Sequence, residues 1–204
     1  MQTSPPNTEE LLRRAHDGDV EAKHKLLNRY RQRLSQMVQA RMDPRIQARI
    51  DPSDIVQETL VTASHKLDAY LAGRPLPFYP WLRQIAWEKL VHEHDRHLRA
   101  AKRSVAREHT LRSDLSDASI AGIAKRLVCP SSTPSGAVER EELMQRVRIA
   151  IDALSATDRE VLLMRHIEQM PSNEIGALLH MSEAAVNMRH MRALERLRKV
   201  LTSA

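Results

Sequence analysis

The stretch from Phe78 to Arg107, FYPWLRQIAWEKLVHEHDRHLRAAKRSVAR, limits the possible folds more than any other part of the chain. Taken as one helix from about Pro80, at about 100° per residue, it places Trp87, Leu90, Val91, Leu98, Ala101 and Val105 in one arc. Lys89, Arg96, Arg99, Arg103 and Arg107 fall in the opposite arc. Such a helix lies on a core and turns a basic stripe outward. Four of the chain's six aromatic residues, Phe78, Tyr79, Trp81 and Trp87, occupy its first ten positions. Guanidinium groups beside flat rings suit a nucleic-acid strand, cations meeting phosphates while rings stack on unpaired bases. Trp81, beside Leu82 and Ile85, and Trp87, on the apolar arc, read as core anchors. Phe78 and Tyr79 precede the predicted helix among Pro75, Pro77 and Pro80, which hold the backbone extended. Those two rings are the candidates for touching bases.

The rest of the chain favours helices too. Only five Gly stand among many Ala, Leu, Arg and Glu, with little β-branched or aromatic content, so an all-α protein is expected. At 204 residues it has room for one large or two small domains. The net charge of +6 is concentrated in two places: residues 83–112 and 189–204 each carry a surplus of four positive charges. Two separated basic segments imply two contacts on one polyanion. The single cysteine, Cys129, excludes an intramolecular disulfide and fits a reducing cytoplasm, and its VCPSSTPSG surroundings read as linker, not as the site of an activated thiol. With neither a signal-peptide pattern nor a long apolar run, the expected location is cytoplasmic, without membrane insertion.

Cap signals divide the chain. Asn7 with Glu10 opens a short helix that closes at Asp17-Gly18, and Asp19 caps a longer one in which Ala22, Leu26, Leu27, Tyr30, Leu34, Met37 and Val38 recur at helical spacing. Pro44, in the polar stretch Met42 to Ile50, ends it. Asp51-Pro52-Ser53-Asp54 then starts a helix with Ile55, Leu60, Ala63, Leu67 and Leu71 inward. Asp54, Gln57 and Glu58 share its outer face, which reads as a solvated or protein-contact surface because no third ligand sits at metal spacing. His92 and His94 are about 200° apart on a helix, so the cluster with His97 does not read as a metal site. Residues from about Glu108 to Val138 lose periodicity, and Ser131 to Gly136 read as flexible linker. Beyond it come a helix from Glu139 to Leu154, a second capped by Ser155, then the short SNEIGALLH and a last helix capped by Ser182. Two short helices joined by a tight turn, the second with Arg189, Arg192, Arg196 and Lys199 along one side, describe a helix-turn-helix.

The segment LSATDREVLLMRHIEQMPSNEIGALLHMSEAAVNMRHMRALERLRKVL resembles the carboxy-terminal domain of bacterial RNA polymerase sigma factors of the sigma-70 family. SDIVQETLVTA and FYPWLRQIAWEKLVHEHDRHLRAAKR are similar to successive parts of their central promoter-melting domain. Three motifs in the right order, and only these two domains, resemble the extracytoplasmic-function group. The resemblance implies two small helical domains, 1–108 and 139–204, joined by a flexible linker at 109–138. It further implies a protein with no catalytic residues, metal or cofactor, which directs core RNA polymerase to promoters and helps to melt them. By the same resemblance, Asp54, Gln57 and Glu58 contact the β′ clamp helices, with the β flap as a further polymerase contact and an anti-sigma factor as a further partner. Phe78, Tyr79, Lys89, His92, Arg96, Arg99 and Arg103 serve the minus-ten element. Ser182, Glu183, Ala184, Asn187, Met188, Arg189, Arg192 and Arg196 serve the minus-thirty-five element in the major groove. Glu88 stands where the family usually has Asn, His92 where it often has Asp, and His180 where Gly is common in the turn. Pro171 replaces a usual capping Ser, a role open to Ser172. A regulator that binds only duplex DNA is the alternative, and it has no use for the aromatic and basic segment.

Overall fold

The structure, a computed structural model, describes residues 7–47, 49–101 and 137–202, without the side chains of 44–45, 97–101, 137–140 and 200–202. All regular elements among the described residues are helices: α1 (Thr8–His16), α2 (Val20–Arg29), α3 (Arg31–Arg41), α4 (Pro44–Gln47), α5 (Pro52–Gly73), α6 (Phe78–Ala101), α7 (Ala137–Asp152), α8 (Ala156–His166), α9 (Ser172–Leu179) and α10 (Glu183–Thr202). Backbone contacts divide the chain into two units, Met1–Val38 with Ile46–Arg103, and Gln39–Arg45 with Ser104–Ala204.

The helix starts follow from side chains that accept the otherwise orphaned first-turn N–H groups. Asn7 accepts from the Glu10 amide, Asp19 from Ala22, Asp51 from Ser53, Ser155 from Asp158 and Ser182 from Ala185. Every capping residue named from the sequence at those five starts therefore caps. Gly18, at φ 91°, supplies the left-handed turn after α1. The long helix expected after Asp19 is instead two, α2 and α3, separated at Tyr30. Its apolar periodicity passes unbroken through the joint, and Ala22, Leu26, Leu27, Tyr30, Leu34, Met37 and Val38 are all buried.

In the first unit α1 packs on α2 and both pack on α5, which in turn lies along α6. Ile55, Leu60, Ala63, Leu67 and Leu71 of α5 are buried as the spacing predicts. In the second unit α10 packs on α7, α8 and α9. Its core gathers Val147, Ala150, Ile151 and Leu154 of α7 and its end, Leu162 and Leu163 of α8, and Ala193 and Leu197 of α10. α7 begins at Ala137, two residues before the expected start. The rest of the expected linker, with Cys129, lies outside the described residues.

Candidate nucleic-acid and polymerase interfaces

In the first unit the outer face of α5 is as the sequence anticipates. Asp54, Gln57 and Glu58 are exposed, and Glu58 lies 3.4 Å from the Lys89 ammonium of α6. These residues line an open groove with Ile50, Val61 and Arg96. Val61 is half exposed among them, an apolar spot on an otherwise charged surface. On the α5 side, Asp54 and Glu58 repel polyanions and with Val61 suit a protein partner, whereas Lys89 and Arg96 put positive charge on the α6 side.

The aromatic residues correct the sequence reading. α6 starts at Phe78, two residues before Pro80, so Phe78 and Tyr79 belong to the helix and are 3% and 0% exposed. Neither can lay a ring face on a base. Phe78 packs 5.4 Å from both Tyr30 and Tyr70, while Tyr79 stacks at 5.7 Å on Tyr30 and lies 3.7 Å beneath the Arg33 guanidinium. Trp81 stacks on Tyr70 with centroids 4.4 Å apart. Five of the six aromatics thus form one cluster across the joint between α2 and α3, α5 and α6, and the Tyr70 hydroxyl, donating to the Leu76 carbonyl at 2.9 Å, ties the loop between α5 and α6 to it. Burial pushes the Tyr70 phenol up to about 12. Trp81 and Trp87, read as anchors, are the two rings that keep partial exposure, and the Arg83 guanidinium sits 5.8 Å over Trp87. Of the basic arc, Arg96 is exposed, as is His92 beside it, and Lys89 is half-buried against Glu58, whereas the side chain of Arg99, and all of Arg103 and Arg107, lie outside what is described.

The second unit holds a helix-turn-helix made by α9 and α10. His180 takes the left-handed conformation at the end of α9, φ 54° and ψ 45°, as the turn requires. Gly176 makes the close approach possible: a Cβ there would lie 2.6 Å from the Met181 carbonyl oxygen. On α10, Ser182, Glu183, Ala184, Asn187, Met188, Arg192 and Arg196 are exposed and Arg189 is partly so. Two features were not visible in the sequence. Asp158, 6% exposed in the first turn of α8, sits 2.9 Å from Arg189 and 3.4 Å from Arg196, so part of the positive stripe is already compensated. Burial raises the Asp158 carboxyl, but hydrogen bonds from Ser155 and Arg189 and the charges of Arg189 and Arg196 outweigh it and hold it below the usual value. Ser172, in turn, does not cap α9. Pro171 occupies the cap position without a side-chain bond, and the Ser172 hydroxyl donates instead to Asn187 Oδ1 at 2.6 Å.

Residues 144–197 match the family model described as "Sigma-70, region 4", which spans α8, α9 and most of α10. Along nearly the whole chain, the RNA polymerase sigma factor NccH of Alcaligenes xylosoxydans xylosoxydans is 29% identical, over 99% of this chain and 98% of its own. The chain is a sigma factor of the sigma-70 family. It belongs to the extracytoplasmic-function group: the ECF RNA polymerase sigma-E factor of Escherichia coli (strain K12) is 26% identical over 185 residues, 91% of this chain and 89% of that one. A solved structure of CnrH in complex with the cytosolic domain of CnrY matches with a TM-score of 0.53 and 26% identity, over 95% of this sigma factor and 96% of that chain. The sigma factor therefore works with RNA polymerase in transcription initiation, and its helix-turn-helix is a DNA-binding element. No described helix is long and apolar enough to cross a membrane.

Proposed function

We propose that this sigma factor binds core polymerase through the outer face of α5, with Asp54, Gln57 and Glu58 against the β′ clamp helices, while the second unit meets the β flap. It reads the minus-thirty-five element with the exposed face of α10, from Ser182 to Arg196, laid in the major groove. It captures the minus-ten strand along α6 with Lys89, His92 and Arg96, and with Arg99 and Arg103 beyond them. Phe78 and Tyr79 serve that face from beneath, fixing the start of α6, and the partly exposed Trp81 and Trp87 are the rings left to meet bases. The chain supplies specificity and strand capture in the cytoplasm, and catalysis stays with the polymerase. Because CnrH is solved with the cytosolic domain of CnrY, an anti-sigma protein is also inferred as a partner.

The helix-turn-helix supports this reading most directly: a short helix, a left-handed turn at His180, and a following helix whose exposed positions include Ala184, Asn187 and Met188. The test is run-off transcription by core polymerase from a pool of genomic promoter fragments, with and without the sigma factor. Discrete new start sites that depend on it are expected. Fragments retained by the protein alone, without any transcript, overturn the proposal in favour of a duplex-binding regulator.

A further inference from the structure

Asn187 is exposed on the DNA-facing side of α10, yet its carboxamide does not rotate freely. Ser172, at the first position of α9 and 4% exposed, donates its hydroxyl to Asn187 Oδ1 at 2.6 Å. The direction of this bond follows from burial. If the amide were reversed, Nδ2 would donate to Oγ and the serine hydroxyl would need another acceptor. Ser172 makes no other side-chain bond among the described residues, and a buried hydroxyl left without an acceptor is costly. Oδ1 therefore faces Ser172. Nδ2 has no partner among the described residues, and its two hydrogens are the end of the amide left for a ligand.

We infer that Ser172 is a specificity-positioning residue: by holding Oδ1 it makes Asn187 a hydrogen-bond donor toward DNA, selecting base edges that offer acceptors at one position of the minus-thirty-five element. In the major groove these are purine N7, guanine O6 and thymine O4, whereas cytosine presents only its N4 donor. The pairing also links the two helices of the motif at the point where Pro171 leaves α9 without a side-chain cap. Nearby Ala184 and Met188, both exposed, add only apolar contact, which suits a thymine methyl. The inference rests on the proposed reading of α10 as the minus-thirty-five reader.

The experiment measures base preference at every minus-thirty-five position, by competition among singly substituted promoters bound to the holoenzyme. The proteins compared are the unaltered chain, Ser172→Ala, Ser172→Thr, Asn187→Ala and the Ser172→Ala/Asn187→Ala pair. Asn187→Ala is expected to flatten preference at one position, and Ser172→Ala to reduce discrimination against cytosine there by roughly fivefold, the lower end of what one base contact contributes. Ser172→Thr, which keeps the hydroxyl, restores it. In the Asn187→Ala background Ser172→Ala adds nothing. A merely structural serine would weaken binding to all promoters alike and leave the preference profile intact. If Asn187→Ala changes the profile and Ser172→Ala does not, the inference fails while α10 remains the reader. If Asn187→Ala leaves every position unchanged, Asn187 reads no base and the proposal falls with it. Preference untouched by any substitution along α10 overturns the underlying reading itself.

Discussion

Gly176 is the residue on which the turn of the second unit depends. A side chain there meets the Met181 carbonyl oxygen at 2.6 Å, a backbone atom that moves only if the turn opens. Gly176→Ala is expected to destabilise the unit by about 1–3 kcal/mol, as overpacking of a close contact does, and to weaken promoter binding; chemical denaturation and duplex binding check both. His190 carries a pH dependence. Its Nε2 lies 2.8 Å from that of His166, and burial, with the positive charge of Arg165, holds its pKa below the ordinary 6.5. The folded state thus binds a proton on His190 less readily than the unfolded chain. Stability contributed by the neutral ring is complete above the unfolded value and is lost as pH falls through 6.5 toward the lower folded value. Melting temperatures measured from pH 7.5 down to 5 should fall, and His190→Gln should flatten that decline. A variant that falls as steeply as the parent assigns the loss elsewhere.

Among the helices, α6 shows how a true signal can be misplaced. Its aromatic residues cluster because α2 and α5 bring Tyr30 and Tyr70 to meet them, not because a nucleic-acid strand needs every ring. Pro80 gave the wrong start for a physical reason. The first turn of a helix has N–H groups with no partner, so proline is tolerated at its third position as well as at its first. The two rings ahead of it then turn into the core. Tyr79→Ala is accordingly expected to cost the first unit about 3–5 kcal/mol, the range for a large buried side chain, and to appear first as lost folding. Normal thermal melting with defective promoter opening would contradict this and return Tyr79 to the strand-binding surface. On α10 the arginines are expected to differ. Arg192 has no ion pair among the described residues, whereas Arg189 shares Asp158. Arg192→Ala should reduce the salt slope of promoter binding by about one, as one lost phosphate contact does, and Arg189→Ala by less. Equal slopes would show that DNA releases Arg189 from Asp158 completely.

Across the whole chain, the acidic face of α5 and the basic face of α10 belong to different units, so the two associations should be separable by substitution. Glu58→Lys reverses a charge on the α5 face and removes the partner of Lys89. It is expected to weaken association with core polymerase at least tenfold while leaving duplex binding by the second unit intact. Pull-down with core enzyme and a parallel duplex-binding measurement decide it. Loss of both together would mean that the substitution unfolds the chain or that the faces are not independent.

The residues alone sufficed for whatever depends on neighbours three or four positions apart. The caps at Asn7, Asp19, Asp51, Ser155 and Ser182, the inward positions of α5 and the tight turn before Ser182 were all legible, because capping and helical period are local. The order of motifs likewise carried the family. Burial of Phe78 and Tyr79, the sharing of Asp158 by Arg189 and Arg196, and the grip of Ser172 on Asn187 were not legible. Those hydrogen bonds join residues 15 to 38 positions apart, and Tyr79 meets Tyr30 from another helix. Whether a polar or aromatic side chain faces solvent, a ligand or a partner inside the protein depends on which helices the chain brings beside it. Helical periodicity gives the direction in which a side chain points and only tertiary packing supplies what it meets.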